Sequence, residues 1–191
     1  MRDRSDTRTR IQEVALDLFT EHGYEATSLR EIAERLGVTK AALYYHFKTK
    51  EDIVTSLIED RLAMIEELLD WAHTQPDTVE MRREFVQRYA EHLHQGGHDK
   101  VMRFLERNQT ALRDNPKSEQ MRDLMLHVLE VLGPAGTSVT FRLKSALAVF
   151  ALHASTFLLR DGISDEERHA AGLQVALDLI DQGAAERHTR V

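Results

Sequence analysis

The stretch from Thr27 to Lys50, TSLREIAERLGVTKAALYYHFKTK, concentrates the side chains of this sequence that could act on another molecule. Bond-making chemistry is not what they offer. No HExxH, GxSxG, phosphate-loop or dinucleotide fingerprint occurs in the chain. Cysteine is absent, which removes thiol nucleophiles, disulfides and Cys-ligated zinc. The stretch carries cations, hydroxyls and flat polar-tipped rings instead. Leu29, Ile32, Ala33 and Leu36 fall on one face of a short helix that Gly37 stops. Val38 can pack inward and Thr39 can cap a second short helix, Lys40 to Phe47, with Leu43 and Phe47 inward. Its outward face is then Lys40, Ala41, Ala42, Tyr44, Tyr45 and His46. Two short helices meeting across Gly37-Val38 make a helix-turn-helix unit, whose second helix suits a DNA major groove about 12 Å wide. Ala41 and Ala42 would let the backbone approach and meet thymine methyls, and Lys40 would reach guanine O6/N7 or a phosphate. Two adjacent exposed tyrosines have little use on a plain surface, whereas nucleic acid can hydrogen-bond both. Lys48 and Lys50 sit at the start of the next helix, whose first amides can take a phosphate.

These residues resemble the DNA-binding domain of the tetracycline-repressor (TetR/AcrR) family. The resemblance rests on Gly23-Tyr24, then Thr27-Ser28-Leu29-Arg30-Glu31-Ile32-Ala33, then Gly37-Val38-Thr39-Lys40. Leu43-Tyr44-Tyr45-His46-Phe47 and Lys48-Thr49-Lys50-Glu51 complete it. It spans roughly the first 60 residues, and one departure is Ala41, where many relatives carry glycine. The resemblance implies roles for eleven residues. Thr27 and Ser28 would sit near a phosphate, and Arg30 would face the groove or its rim. Thr39, Lys40, Ala41, Ala42 and Tyr45 would make or permit base-edge contact. Tyr44, His46 and Lys50 would hold phosphates. Purely structural uses compete: Ser28 and Thr39 as caps, Tyr44 as packing under the first helix.

Positioning such a unit requires a helical frame, and the chain reads as all-α. Its 191 residues hold three prolines, long breaker-free runs and no alternating β-branched stretch. About nine helices are expected: Thr7–His22 after a mobile arm, then the two short ones, then Thr49–His73. Pro76–Gln95, Asp99–Arg113, Pro116–Leu132, Ser138–Arg160 and Ser164–Ala184 follow. Ser28–Glu31 and Ser164–Glu167 read as capping boxes. The division is a helix-turn-helix DNA-binding domain over 1–48 (the motif about 29–48) and a helical ligand-binding and dimerisation domain over 49–191. The polar N-terminus lacks an apolar signal core and no run reaches the ~20 apolar residues of a membrane span, so a cytoplasmic protein without membrane contact is expected.

The eighth expected helix carries two apolar faces. One is Leu143, Leu147, Phe150, Ala154 and Phe157, the other Phe141, Ser145, Ala148, Leu152, Ser155 and Leu159. A helix apolar over most of its circumference is buried on several sides. It is either the central core helix of one subunit or, preferred here, half of a two-fold homodimer interface shared with the last helix. The family resemblance further implies a small-molecule effector held by Trp71, Phe85, Tyr89, His92, Met102, Phe104, Leu105, Asn108, Met125, Phe150, His153 and Phe157. Aromatic and methionine side chains at helical spacing also serve simply as core. The ten histidines show no strong ligand pattern: His94 and His98 have metal-ligand spacing, but Gly96-Gly97 interrupts the helix between them. No metal, cofactor or catalytic residue is expected.

The reading is thus a dimeric regulator of transcription that binds a palindromic operator on double-stranded DNA and is released by a small ligand. An activator, a regulator without a ligand, and a histidine-based metal or catalytic protein are the alternatives. A net charge of −7 argues against nucleic acid only as an average. Residues 1–50 hold 9 Lys/Arg and 8 Asp/Glu, and residues 51–191 hold 16 and 24, so the acidity lies outside the motif.

Overall fold

The computed structural model describes residues 4–94, 98–108, 117–159 and 162–188. Among these there are nine helices and no strand: α1 (Arg4–Glu21), α2 (Leu29–Leu36), α3 (Lys40–His46), α4 (Lys50–His73) and α5 (Val79–His94), then α6 (His98–Arg107), α7 (Lys117–Leu132), α8 (Val139–Leu158) and α9 (Asp165–His188). The arm expected before Thr7 is helical from Arg4 onward. The fifth helix starts not at Pro76 but after Thr78, whose hydroxyl accepts from the Met81 amide at 3.1 Å and so caps the first turn. Residues 109–116, where the sixth helix was expected to end, lie outside the described residues.

The chain divides into two compact units, residues 1–61 with 100–119, and residues 62–99 with 120–191. The expected head over 1–48 lies inside the first, which also takes the start of α4 and most of α6. Its core is built from Ile11, Ala15, Leu18 and Phe19 of α1, Ile32 and Ala33 of α2, Leu43 and Phe47, Ile53 and Val54 of α4, and Val101 and Phe104 of α6. Phe19, Tyr24 and Phe104 meet ring to ring, with centroids 5.1 to 5.7 Å apart. One polar group crosses this core. Gln12 Nε2 donates to Ser56 Oγ at 2.9 Å and to Asp60 Oδ2 at 2.7 Å, tying α1 to α4.

In the second unit α8 and α9 make the most extensive helix contact. Two glycines permit it. A Cβ at Gly172 would lie 2.8 Å from Ser155 Oγ, and one at Gly183 2.8 Å from the Phe141 ring. The two sequence-derived faces of α8 separate along most of the helix, although Leu159 of the second face is exposed at its end. Phe141, Ser145, Ala148 and Leu152 are buried, and Leu143, Leu147 and Phe150 are exposed. The capping box of α9 forms in full: Glu167 N donates to Ser164 Oγ, and Ser164 N to Glu167 Oε2. His94 of α5 and His169 of α9 also meet in this unit. Burial, and then the His94 ring, push His169 below the usual histidine range.

Arg82 is the largest buried group, 1 % exposed. Its Nε donates to the Leu132 carbonyl at the end of α7 at 2.9 Å, and another guanidinium nitrogen donates to Thr78 O at 2.8 Å. It pairs with Asp77 and lies over the Phe141 ring. Ser145 Oγ donates to the same Leu132 carbonyl at 3.0 Å. A buried charge is tolerable when its donors are satisfied in this way. Arg82→Met keeps the apolar stem and removes those bonds. Urea unfolding of the full chain should show a loss of about 1–3 kcal/mol; an unchanged midpoint would mean that the guanidinium holds nothing.

Candidate nucleic-acid interface

The turn between α2 and α3 is fixed by backbone chemistry. Gly37 sits at φ 73°, ψ 30°, a left-handed conformation that glycine adopts without strain. Its N–H reaches Glu34 O at 3.2 Å and the Val38 N–H reaches Ala33 O at 3.0 Å, which closes a Schellman motif on α2. Thr39 then caps α3, accepting from the Ala42 amide at 3.1 Å. Leu43 is wholly buried and Phe47 nearly so, with the Arg8 guanidinium 4.7 Å from the Phe47 ring centre.

This leaves α3 presenting what the sequence assigned to its outward side. Lys40, Ala41 and Ala42 are exposed, Tyr45 is 60 % exposed, and Tyr44 and His46 are half-buried. Lys40 Nζ lies 5.2 Å from the centre of the Tyr44 ring, and the Tyr45 and His46 rings meet edge to face. Lys48 Nζ donates to Tyr44 O at 2.5 Å, closing the end of α3. The start of α4 is capped reciprocally: Lys48 N and Thr49 N donate to Asp52 Oδ2, and Asp52 N donates to Thr49 Oγ1. At the head of α2, Ser28 is exposed and accepts from Glu31 N at 3.2 Å. Glu31 does not complete the expected box; its carboxylate turns to His22 Nδ1 at 2.6 Å. Arg30 is exposed, and its Nε donates to Glu34 one turn along at 2.7 Å.

Two residues play roles other than those assigned from the sequence. Thr27 is 2 % exposed, and its hydroxyl donates to Gly23 O at 2.8 Å and Leu18 O at 3.3 Å. It seals the end of α1, with both of its hydrogen bonds made inside the chain. Lys50 donates to the carbonyls of Tyr24 at 2.6 Å and Glu25 at 3.2 Å, with its ammonium 4.7 Å from the Tyr24 ring centre. Its first task is to hold the α1–α2 connection, so a phosphate would have to share it. Sequence reasoning missed Tyr24 as a structural hub. Its hydroxyl donates to Glu51 Oε1 at 3.1 Å, and burial, then Glu51, push its pKa far up.

The residues assigned to an effector fall in both units. Phe85, Tyr89, Met125 and His153 come together in the second unit. Phe85 stacks on Tyr89, and Tyr89 Oη lies 2.9 Å from His153 Nε2 and 3.8 Å from Met125 Sδ. Burial pushes His153 down and Tyr89 up, so both are neutral. Trp71 lies beneath the Arg88 guanidinium, 4.1 Å away, and His92 is half-exposed on the outer side of α5. Phe104, Leu105 and Asn108 belong to the first unit. There Phe104 packs on Phe19 and Tyr24, and Asn108 donates to Phe104 O at the end of α6. Phe150 is 64 % exposed beside Leu143 and Leu147, a surface position and not an interior one. The side chains of Met102 and Phe157 lie outside the described residues.

Residues 11–57 match the family model described as "Bacterial regulatory proteins, tetR family". The HTH-type transcriptional regulator AcrR of Shigella flexneri is 48 % identical over 54 residues, 28 % of this chain and 25 % of that protein. The HTH-type transcriptional repressor KstR2 of Rhodococcus jostii is 38 % identical over 55 residues, 29 % of this chain and 27 % of the relative. The matched segment thus spans about a quarter of the length of these relatives. Two solved structures share the fold across nearly the whole chain. A transcriptional regulator (TerR/AcrR family) from Aquifex aeolicus superposes with a TM-score of 0.66 at 24 % identity, covering 91 % of this chain and 99 % of the other. PfmR, a TetR family transcriptional regulator from Thermus thermophilus, gives 0.57 at 27 % identity, covering 95 % and 97 %.

The Thr27 assignment is directly testable. Thr27→Val keeps the shape and removes both hydrogen bonds. It should lower stability in chemical denaturation by about 1–2 kcal/mol while leaving any affinity of the folded protein for DNA unaltered; uniformly weaker binding to all sequences would restore Thr27 to a phosphate contact.

Proposed function

We propose that this chain, which carries a tetR-family regulatory domain over residues 11–57, is a homodimeric, sequence-specific regulator of transcription. It acts as a repressor that a small-molecule effector releases from a palindromic operator. The observation that carries this reading is the division of α3: Leu43 is fully buried while Lys40, Ala41, Ala42 and Tyr45 stand exposed on one contiguous face. In a major groove, Lys40 reads guanine or a phosphate, and the two alanines admit the backbone and touch thymine methyls. Tyr44, Tyr45, His46 and Lys48 hold the strands, with Ser28 and Arg30 at the rim. The work is binding rather than catalysis. No helix among the described residues is long and apolar enough to cross a membrane; the proposed partner, double-stranded DNA, puts the site of action in the cytoplasm.

Leu143, Leu147 and Phe150 support the dimer. They form an exposed apolar row on α8, beside the contact with α9, and Val175 of α9 is exposed as well. Contiguous apolar surface of this kind marks an interaction site, and two-fold dimers are the commonest small assemblies. The effector is assigned to the second unit. There the Phe85–Tyr89–Met125–His153 group supplies soft apolar contacts with one neutral polar pair among them. An effector that favours a head spacing unable to span grooves ~34 Å apart would release the operator.

Operator fragments selected by the purified protein from random DNA should contain an imperfect palindrome. In fluorescence anisotropy on that operator, Lys40→Ala should cost about 1–3 kcal/mol at particular base pairs. Lys48→Ala should weaken all sequences alike and reduce the salt slope by about 1. Selection of no sequence would refute the reading. Separately, Leu147→Glu with Phe150→Glu should convert a dimer to a monomer in light scattering, and a dimer that survives both charges would place the interface elsewhere.

A further inference from the structure

We propose that His94 and His169 form a two-histidine site for a single divalent transition-metal ion of the zinc class, joining α5 to α9. The two rings come from helices distant in sequence, yet their centroids lie 4.5 Å apart with planes inclined at 31°. Two imidazoles on one tetrahedral ion, each with a metal–nitrogen bond of ~2.0 Å, have ring centres roughly 5 Å apart. In ring separation the pair lies within about half an ångström of that arrangement. A cavity of about 30 Å³ opens beside the pair, lined also by Ser155, Asp165 and Arg168. That volume holds one water molecule, so an ion there can keep a water ligand.

The surrounding groups define what kind of site this is. Asp165 is already paired with Arg168 and is not a free ligand. Glu91, one turn before His94, lies close enough to act on His169 electrostatically. Among the described residues, no three His, Asp or Glu side chains converge as they stand. The chain thus offers two nitrogens and leaves the remaining positions to water, with the Glu91 charge acting on His169. Imidazole pairs of this kind select first-row transition metals over magnesium or calcium, which prefer oxygen. The sequence offered His94 and His98 only as a spacing that the Gly96-Gly97 pair interrupts; the fold brings the His169 ring to His94.

An ion bound here clips α5 to the helix that packs on α8, and any ion bound only by the folded chain raises its stability by mass action. The test uses the full chain, stripped with EDTA and dialysed. Zinc titrated by calorimetry should bind saturably at one ion per chain and raise the melting temperature by several degrees. Cobalt(II) should give a visible absorption band that zinc displaces. His94→Ala and His169→Gln should each weaken zinc binding at least tenfold, whereas His92→Ala should leave it unchanged. Circular dichroism of the metal-free variants separates loss of the site from loss of the fold. Absence of saturable binding, or equal affinity in the His169→Gln protein, overturns the proposal.

Discussion

A helix of seven residues cannot hold itself together in water, and α3 is that short. Everything in the first unit follows from this constraint. The helix must expose most of its polar circumference to be useful, so only Leu43 and, just beyond its end, Phe47 can anchor it in the core. The remaining order comes from its two ends. Thr39 caps one, and the Gly37 turn sets the angle at which the chain enters it. The Phe47 amide and the Lys48 ammonium close the other onto the carbonyls of Leu43 and Tyr44. Each contribution is about a kilocalorie per mole or less, but together they fix a surface whose side chains are free to meet a partner.

Tyr24 has the complementary role of gathering the helices that carry that surface. Its ring meets Phe19 of α1 and Phe104 of α6, and its hydroxyl meets Glu51 of α4. Its carbonyl accepts the Lys50 ammonium, whose charge lies against the ring. One residue of the α1–α2 connection therefore reaches three helices. This is why α6, remote in sequence, belongs to the same compact unit as the helix-turn-helix.

What the sequence revealed and what it concealed divide by range. Caps, turn glycines and one-sided helices are local signals, and they located α2, α3, the α9 capping box and the two faces of α8. Long-range pairings leave no periodic trace. Nothing near Arg82 forecasts that it closes the end of α7 by donating to Leu132. Thr27 looked like a surface hydroxyl because its burial depends on how α1 ends. Gly172 and Gly183 sit inside a helical pattern, where a glycine is ordinarily a weakness; their reason is the close approach of Ser155 and Phe141. Phe104 read as a ligand-lining aromatic because sequence spacing cannot distinguish a cavity wall from a core shared with α1.

Charge sharpens the last point. The first fifty residues are nearly neutral in sum, and the rest of the chain carries the acidity. Arg30 is already paired with Glu34, Lys40 leans on Tyr44, and Lys50 donates to two carbonyls. A surface with so little net positive charge cannot rely on bulk attraction, which governs non-specific binding and rises with every phosphate neutralised. On the proposed function, its affinity for DNA comes from shape and from hydrogen bonds placed by a rigid frame, the contacts that distinguish one base sequence from another. On the same reading, the acidic remainder disfavours other approaches to DNA. Weak attraction and strict placement are therefore two consequences of one charge distribution, and both favour a protein that docks by a single face.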